Sequence, residues 1–412
     1  MALHPRESRY GRRELLQRGA AGAFLLSSMG TLLAACGGGN GGSGGDITFA
    51  TPDNPVTWDI YDDNPMIASG LEPESGTLRI YNWNGYLDPK IKKSFAKEYG
   101  VKVEETFFST TDEAVAKISS GAVEFDVFFP TTDRVGRLIL GKSLQPLNQE
   151  YLPNLANVWA SVRDPWYDKG SQYTVPYATW TTGIGYRTDK ISSSPDKLSN
   201  PYEIYWDEQA KGKLYLLDDS RDAPAHMLLK NGIANINTES AEDIELAKSE
   251  LKSLYDQNVK TSTDDYTNLP EGKAWVHQMW SGSAISAQYY LPEGVGTDAL
   301  GYWFPEDGRG IIGSDMLAIP RNAKNPVLAH HFLDYLLDEK HGYDNFVNYT
   351  GYQPPLTALN PDKLVADGVV PKHLRTAIVR ESDFDVASQF TELTPAGATE
   401  WQNAWAEFKA GV

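Results

Sequence analysis

The sequence predicts an α/β fold arranged as two lobes. Strand-like and helix-like patterns alternate from residue 77 to about residue 140, which is typical of a parallel sheet with right-handed crossovers. A second α/β run starts near residue 182 and extends to residue 338. No interior linker is long enough to separate two independent domains, so we expect two lobes between which the chain crosses more than once.

Local signals define the elements of the first run. Asp88 before Pro89 predicts a helix N-terminus, and Gly100 predicts the end of that helix. Thr110 and Glu113 have the spacing of a capping box for the next helix. Strands are predicted at residues 77–83, 101–108 and 125–129, with helices at 89–99, from 111 to about 121, and from 132 onward.

The second run is less regular, but its apolar segments are clear. Strands are predicted at residues 213–217, 276–280, 302–304 and 316–320, and helices at 223–231, 240–258, from about 282, and at 325–338.

The first 35 residues have the pattern of an export signal. A basic front containing Arg12 and Arg13 precedes a short apolar stretch, as in a twin-arginine signal. The sequence LAAC, which ends at Cys36, resembles a bacterial lipobox, in which that cysteine is acylated and becomes the first mature residue. The alternative is a plain secreted protein with an incidental cysteine.

The segment that follows, residues 36–75, is expected to be a Gly-rich tether and an extended lead-in. Because Cys36 is the single cysteine of the chain, no internal disulfide is possible. No other segment is apolar over 18 residues, so acyl chains alone would hold the protein at the membrane.

Composition limits the choice of ligand. The chain has a net charge of −18, and without residues 1–35, which carry five arginines and two glutamates, it has −21. This charge argues against nucleic acid and against direct adhesion to anionic lipid. The 11 tryptophans and 22 tyrosines suggest surfaces that stack ligands.

Polar and aromatic side chains follow several of the predicted strands. In open α/β sheets, ligands bind beyond the carboxyl ends of strands. These positions hold Trp83 and Tyr86, Thr131 and Asp133, the group Asp218, Asp219 and Asp222, and Trp280 with Ser283, while Asp315 precedes the strand predicted at 316–320. Both halves of the chain contribute, so the sequence predicts a hinged cleft between the lobes.

Metal and enzyme sites fit this pattern poorly. The aspartates at 218, 219 and 222 lack calcium-loop spacing, and the seven histidines are scattered. Paired carboxylates beside tryptophans also describe a glycosidase, but no nucleophile motif or phosphate-cradling loop is present. A third alternative is that Arg221 pairs with Asp218 or Asp222 and the cluster merely caps a helix.

An organic polycation satisfies the remaining features. Its ammonium groups need acceptor-only partners, and its methylene segments need flat apolar walls. Aromatic faces supply both apolar burial and cation–π attraction. Carboxylates and aromatics without a metal motif therefore favour an alkyl polyamine.

Seven segments in order resemble the spermidine/putrescine-binding proteins of bacterial polyamine ABC importers, over roughly residues 76–412. The segments are LRIYNWNGYLDP, FDVFFPTTD, YTVPYATWTTGIGY, KGKLYLLDDSRDAPAHMLLKNG, MWSGSA, SDMLAIPRNAKN and TGYQPP. The resemblance implies a two-lobed, type II periplasmic-binding fold that closes like a hinge. We expect one lobe from residues 76–181 and 314–355, and the other from 182–313 and 356–412.

The resemblance also implies ligand-binding residues, and no catalytic residue, metal or cofactor. Carried over by position, these are Trp83, Tyr86, Thr131, Asp219, Asp222, Trp280, Asp315, Tyr352 and Gln389. The hypothesis is that Asp219 and Asp222 accept a primary ammonium group, whereas Asp218 faces Arg221 or solvent.

Three positions depart from the family. Asp133 stands where the spermidine binders have an aromatic residue and is expected to add an acceptor, and Gly313 stands where they have a tryptophan. Trp180 lies one position along from the tryptophan that is usual in the family, and it partly compensates for the aromatic wall that is lost.

The expected partners are a polyamine, an ABC permease and, through it, a cytoplasmic ATPase. The protein is expected to be a lipid-anchored monomer at the periplasmic or outer side of the membrane. The alternatives are an opine or other amine as ligand, or a carbohydrate-active hydrolase.

Overall fold

The computed structural model describes residues 49–411. The predicted export signal, Cys36 and the Gly-rich tether lie outside the described residues.

The described strands form one hydrogen-bonded sheet of ten strands. They are β1 Thr77–Trp83, β2 Lys102–Phe108, β3 Val127–Phe128, β4 Thr174–Arg187, β5 Leu214–Leu216, β6 Lys260–Thr261, β7 Val276–Trp280, β8 Leu300–Trp303, β9 Ile311–Ala318 and β10 Ser388–Gln389. The order is β2-β1-β3-β9-β4-β7-β5-β6, with β10 beside β9 and β8 beside β4. β1 runs parallel to β2 and β3, and this confirms the parallel arrangement predicted for the first run.

Two antiparallel strands, β4 and β9, connect the two halves of the sheet. The first residues of β4 pair with the end of β9, the register shifts between Pro176 and Ala178, and the last residues of β4 pair with β7 and β8. The predicted start of β9 at residue 316 is wrong, because the strand begins at Ile311 and contains Asp315. Gly313 and Asp315 are poor strand formers, but pairing with β4 outweighs this local preference.

The helices pack on this sheet. They are α1 Pro89–Tyr99, α2 Thr111–Ser120, α3 Thr132–Leu140, α4 Ala160–Arg163, α5 Asp222–Lys230, α6 Ala241–Ser253, α7 Asp265–Asn268, α8 Ser281–Ala287, α9 Pro326–Leu337, α10 Glu339–Asn345, α11 Pro361–Ala366 and α12 Pro395–Ala410, with a π-helical turn at Phe346–Thr350. Short 3₁₀ segments lie at Gln149–Tyr151, Pro153–Asn157, Pro195–Lys197, Pro201–Trp206, Glu208–Ala210, Leu254–Gln257, Gln288–Tyr290, Thr297–Ala299, Lys372–Ala377 and Glu381–Asp385. The helix predicted at 240–258 therefore ends at residue 253 and continues as a 3₁₀ turn.

Side-chain caps fix the helix ends in the first half. Asp88 accepts a hydrogen bond from the backbone N–H of Lys90 at 2.8 Å, and Gly100 ends α1 in the left-handed conformation with φ 66°. Thr110 caps α2 by accepting from the N–H of Glu113 at 3.2 Å. The structure confirms the helix ends predicted at these residues. They could be predicted because a cap involves residues that are close in sequence.

The described part of the predicted lead-in, residues 49–75, is anchored to the folded body. Trp58 is buried, and its indole N–H donates to the carbonyl of Tyr167 at 2.7 Å. The Glu74 carboxylate accepts from the first free N–H groups of α9, those of Val327 and Leu328, at 3.2 and 2.8 Å. This segment contributes to the core, and its extended character stays a prediction.

Buried apolar residues form several clusters, and residues of the crossing strands belong to more than one of them. One contains Tyr81, Phe108, Phe128, Val135 and Met316, and another contains Ile184, Leu214, Val276, Leu393 and Trp405. The largest cluster includes residues from both predicted lobes, so the lobe boundaries stay a prediction. Within residues 49–411, no helix combines the length and apolar character needed to cross a membrane.

Candidate ligand cleft

A buried carboxylate in the middle of β9 lies at the centre of the candidate site. Asp315 accepts a hydrogen bond at Oδ2 from the hydroxyl of Tyr86, and an isolated β-bridge links Asp315 to Thr131 at the start of α3. Burial raises the pKa of Asp315 to about 6, although the Tyr86 hydroxyl and the Trp180 indole both lower it. The structure therefore joins the loop after β1 to the crossing strand β9.

Tyrosine rings enclose this carboxylate. Tyr86 makes edge-to-face contacts with Tyr177 and Tyr352, at centroid distances of 5.2 and 5.1 Å. The Tyr352 ring lies directly over Gly282, where any Cβ would collide with it, and its hydroxyl is 3.1 Å from Oγ of Ser283. Tyr352 therefore connects Tyr86, the hydrogen-bond partner of Asp315, to the start of α8.

A second buried carboxylate lies at the start of α5. Asp222 accepts at Oδ1 from the hydroxyl of Thr182 at 2.5 Å, and at Oδ2 from the indole N–H of Trp280 at 3.4 Å. Burial, and then the charge of Asp219, raise the pKa of Asp222 well above its ordinary value. Asp222 and Trp280 were both predicted as ligand-binding residues, and the structure places them in contact.

Asp265 is a third buried carboxylate, and sequence reasoning missed it. It accepts hydrogen bonds from the backbone N–H groups of Trp280 and Tyr266, both at 3.0 Å. Burial raises the pKa of Asp265 to about 7, although the N–H of Trp280 and the hydroxyl of Ser283 lower it. The one sequence signal is its place after β6, a strand of two residues that is too short to recognise from its pattern.

The two aspartates before α5 have partners of their own. Asp219 Oδ1 accepts from the backbone N–H groups of Arg221 and Asp222, at 2.7 and 2.9 Å, so it caps the helix. Asp218 lies at the surface, as predicted, but its ionic partner is Lys409 at 2.8 Å and not Arg221. Part of this aspartate group is therefore structural.

Arg221 does not pair with the aspartates. Within the described residues, no ion pair joins its guanidinium to Asp218 or Asp222 within 4 Å. The guanidinium donates to Oδ1 of Asn237 at 2.7 Å and lies 4.9 Å from the ring centroid of Phe390. The alternative that Arg221 neutralises the cluster through such a pair is thus wrong.

Asp133 is already engaged. Its Oδ1 accepts from the Thr131 hydroxyl at 2.6 Å, and its Oδ2 is 3.3 Å from the guanidinium of Arg134. Burial would raise the pKa of Asp133, but the guanidinium groups of Arg134 and Arg221 outweigh this and hold the pKa below its ordinary value. The additional acceptor expected at this position therefore has a cationic partner in the protein itself.

Two of the predicted ligand-binding residues contact other parts of the fold. Trp83 packs edge-to-face on Phe108 at 4.4 Å, and its buried indole N–H has no partner within the described residues. Gln389 accepts at Oε1 from the indole N–H of Trp166 at 3.1 Å. The predicted residues that lie in one contact network are Tyr86, Thr131, Asp133, Asp222, Trp280, Asp315 and Tyr352.

The site is closed over in this structure. Asp222, Asp265 and Asp315 are 5%, 0% and 6% exposed. A groove of about 430 Å³ lies elsewhere, beside Trp206 and Lys230, and none of the three carboxylates lines it. Among residues 49–411, no group of three or more His, Cys, Asp or Glu side chains is arranged to hold a metal ion.

Comparison with known proteins agrees with this architecture. The chain is 31% identical over 268 residues to the spermidine/putrescine-binding periplasmic protein of Escherichia coli, covering 64% of this chain and 73% of that protein. It is 28% identical over 292 residues to the putrescine/cadaverine-binding protein of Pseudomonas aeruginosa, covering 69% and 80%.

A solved structure shows the same fold. The spermidine/putrescine ABC transporter substrate-binding protein PotD of Streptococcus pneumoniae superimposes with a TM-score of 0.65 at 20% identity, covering 82% of this chain and 99% of that one. This similarity confirms the two-lobed α/β periplasmic-binding-protein fold predicted from the sequence.

The family assignment rests on a match that covers more than half of the chain. The model of the bacterial extracellular solute-binding protein family matches residues 90–371, which include most of the contact network around Asp222 and Asp315. This chain therefore belongs to the family of bacterial extracellular solute-binding proteins.

Proposed function

We propose that this protein captures a polyamine of the putrescine, spermidine and spermine class between its lobes, as the extracytoplasmic component of an ABC importer. The observation that carries the proposal is the set of buried carboxylates of Asp222, Asp265 and Asp315. Within residues 49–411, no Lys, Arg or His side-chain nitrogen forms an ion pair with any of their carboxylate oxygens within 4 Å. The polyamine binders named among the relatives support the same ligand class.

The energetics favour a cationic ligand. Removing a carboxylate from water costs several kcal/mol unless a counter-charge and hydrogen bonds compensate. Hydroxyl, indole and backbone donors supply part of that compensation here, and an ammonium group would supply the missing charge. Each charge-assisted hydrogen bond contributes about 1.5–3 kcal/mol.

The aromatic rings suit the rest of such a ligand. Tyr86, Tyr352 and Trp280 lie beside the carboxylates and present apolar faces. A ring face attracts a cation by about 0.5–2 kcal/mol and also buries methylene groups. Carboxylates that hold the amines and rings that hold the alkyl chain together form a complete site.

Binding and closure are coupled in this mechanism. The carboxylates are shielded from solvent, so a ligand enters only when the lobes separate about β4 and β9. Closure then completes the site around the ligand and produces the shape that a permease recognises. The energy for import comes from a separate ATPase, because the chain has no phosphate-binding loop motif.

The location is part of the same proposal. The paired arginines, the apolar stretch and the LAAC sequence support export and acylation at Cys36. The protein would then work as a monomer on the outer side of the cytoplasmic membrane, held there by its lipid anchor.

Isothermal titration calorimetry tests the ligand class. The full chain is unfolded and refolded to remove bound ligand, and is then titrated with putrescine, spermidine and spermine. Binding of at least one amine in the micromolar range or tighter, weakened by salt, is the expected result. Binding of a neutral oligosaccharide that does not depend on salt, with no response to the amines, would support the hydrolase alternative and overturn the proposal.

A further inference from the structure

Trp180 and Gly313 are direct partners in the pairing of β4 with β9. Their Cα atoms face each other in the antiparallel register, two residues before Asp315. A Cβ atom built on Gly313 would lie 2.7 Å from Cη2 and 2.8 Å from Cε2 of the Trp180 indole. The indole therefore occupies the space that any side chain at position 313 would need.

The same indole lies on the face of the sheet that carries the central carboxylate, because Asp315 pairs with Ala178, two residues before Trp180. The indole lowers the pKa of Asp315, which also accepts a hydrogen bond from the Tyr86 hydroxyl. The Trp180 ring is only partly buried and packs against the cluster that contains Ile311 and Phe390. Trp180 thus places an aromatic surface and an indole N–H on the face of the sheet that carries Asp315.

We propose that Trp180 is a specificity-determining residue of the ligand cleft: its indole forms the wall that Gly313 cannot provide and positions Asp315 for a ligand ammonium group. This inference rests on the proposed function. A flat ring face packs against an unbranched alkyl chain and attracts the cation that the chain carries. The residue therefore selects for an unbranched alkyl amine.

A double-mutant cycle tests the pairing. Calorimetry measures the affinities of the Trp180→Ala, Gly313→Ala and doubly substituted chains for putrescine and spermidine. Each single substitution is expected to weaken spermidine binding about tenfold, because Trp180→Ala removes the wall and Gly313→Ala displaces it. Putrescine should lose less affinity, because its shorter alkyl chain covers less of the ring. The double variant is expected to bind no more weakly than Trp180→Ala, because the methyl group added at position 313 then has no indole to displace.

Matched controls separate this effect from general damage. Gly301→Ala also places a Cβ against a ring in a strand pair, 2.6 Å from Cε2 of Tyr186, but far from Asp315 in the fold. Trp206→Ala removes a partly buried tryptophan beside the groove on the second half of the chain. Both controls are expected to change stability and to leave the ranking of the two amines unchanged.

Trp180→Phe gives an independent readout. Phenylalanine keeps most of the wall but lacks the N–H, so the pKa of Asp315 should rise. As the pH is lowered, the variant should therefore lose binding at a higher pH than the parent chain does. A purely structural residue would not move this pH profile.

The outcomes are distinct. Additive losses in the cycle, an equal fall for both amines, or an unmoved pH profile in Trp180→Phe would overturn the role of Trp180 while the parent chain still binds. No binding of any amine by the refolded parent chain would overturn the proposed function itself, and this inference with it.

Discussion

The hydroxyl of Tyr86 donates a hydrogen bond to Oδ2 of Asp315 and so ties the loop after β1 to the crossing strand β9. Both side chains are buried, at 7% and 6% exposure. Burial, and then the neighbouring Asp315 carboxylate, raise the pKa of Tyr86 well above its ordinary value, so the hydroxyl stays protonated and keeps donating. The pair holds a carboxylate in place without neutralising it.

Replacing Asp315 with Asn should weaken polyamine binding by about 10- to 150-fold. The variant keeps the shape of the side chain but removes a charge-assisted hydrogen bond that contributes about 1.5–3 kcal/mol. Tyr86→Phe should cost less affinity, because the Asp315 charge remains and the Trp180 indole still favours the ionised carboxylate. Calorimetry measures both, with the exposed Asp298→Asn as the control. Affinity of Asp315→Asn within threefold of the parent chain would show that Asp315 does not contact the ligand.

Binding should release protons and strengthen as the pH rises from about 5 to 8. The pKa values of Asp265 and Asp315 are raised to about 7 and about 6, and that of Asp222 is also raised, so part of the site is protonated near neutral pH without ligand. A cation binds the ionised carboxylates and displaces those protons. Titrations at pH 7 in two buffers of different ionisation enthalpy measure the release. Equal heats in both buffers would contradict this prediction.

The stability of the ligand-free protein should fall as the pH rises, whereas its affinity for the ligand should increase. A carboxyl group with a raised pKa in the folded state binds protons more tightly there than in the unfolded chain. Its contribution to stability is complete below the unfolded value of about 4 and is lost as the pH rises through the folded value. Thermal unfolding should therefore show a higher Tm at pH 6 than at pH 8. Asp315→Asn should reduce this difference, and an unchanged difference would rule out Asp315 as one of its sources.

Asp219 and Asp222 should respond differently to substitution. Asp219→Asn retains an oxygen that caps α5 but removes the charge that raises the pKa of Asp222, so the pH dependence of binding should shift to lower pH. Asp219→Ala also removes the cap and should cost about 0.5–2 kcal/mol of stability. Asp222→Asn should lose more affinity than Asp219→Asn. The reverse order in calorimetry would indicate that Asp219 is the main ammonium partner.

Local sequence signals predicted much of the fold. The strand at residues 276–280 and the caps at Asp88 and Gly100 match the structure, because each depends on neighbouring residues. The early start of β9 escaped prediction, since it depends on pairing with a strand more than a hundred residues earlier. Long-range pairing leaves no periodic pattern in the strand itself.

The candidate site was likewise predicted only in part. The resemblance identified Tyr86, Asp222, Trp280 and Asp315, which the structure places in one network. The partner of Asp218 was missed because Lys409 is 191 residues away in sequence. The burial of Asp265 does not follow from residue type, because it depends on how the chain folds back on itself. Asp133 and Arg134 are neighbours in sequence, and their pairing depends on side-chain conformations that residue type does not determine.

Arg137 and Glu392 should set how long the closed state lasts. Glu392 forms an ion pair with the Arg137 side chain and accepts from the Arg137 backbone N–H at 3.2 Å. The predicted boundaries place these residues on opposite lobes. Glu392→Gln should keep the backbone contact and lose the charge, so the ligand should dissociate about two- to fivefold faster, as for a partly exposed ion pair of about 1 kcal/mol or less.

Stopped-flow dissociation measures this rate, and small-angle scattering reports the share of closed molecules. The exposed pair of Lys340 and Asp344 on α10 provides the matched control, because Asp344→Asn removes a similar ion pair within one helix. Only the Glu392 variant should dissociate faster and show a larger radius of gyration below saturation. If both variants behaved like the parent chain, the contact between Arg137 and Glu392 would follow from closure without stabilising it.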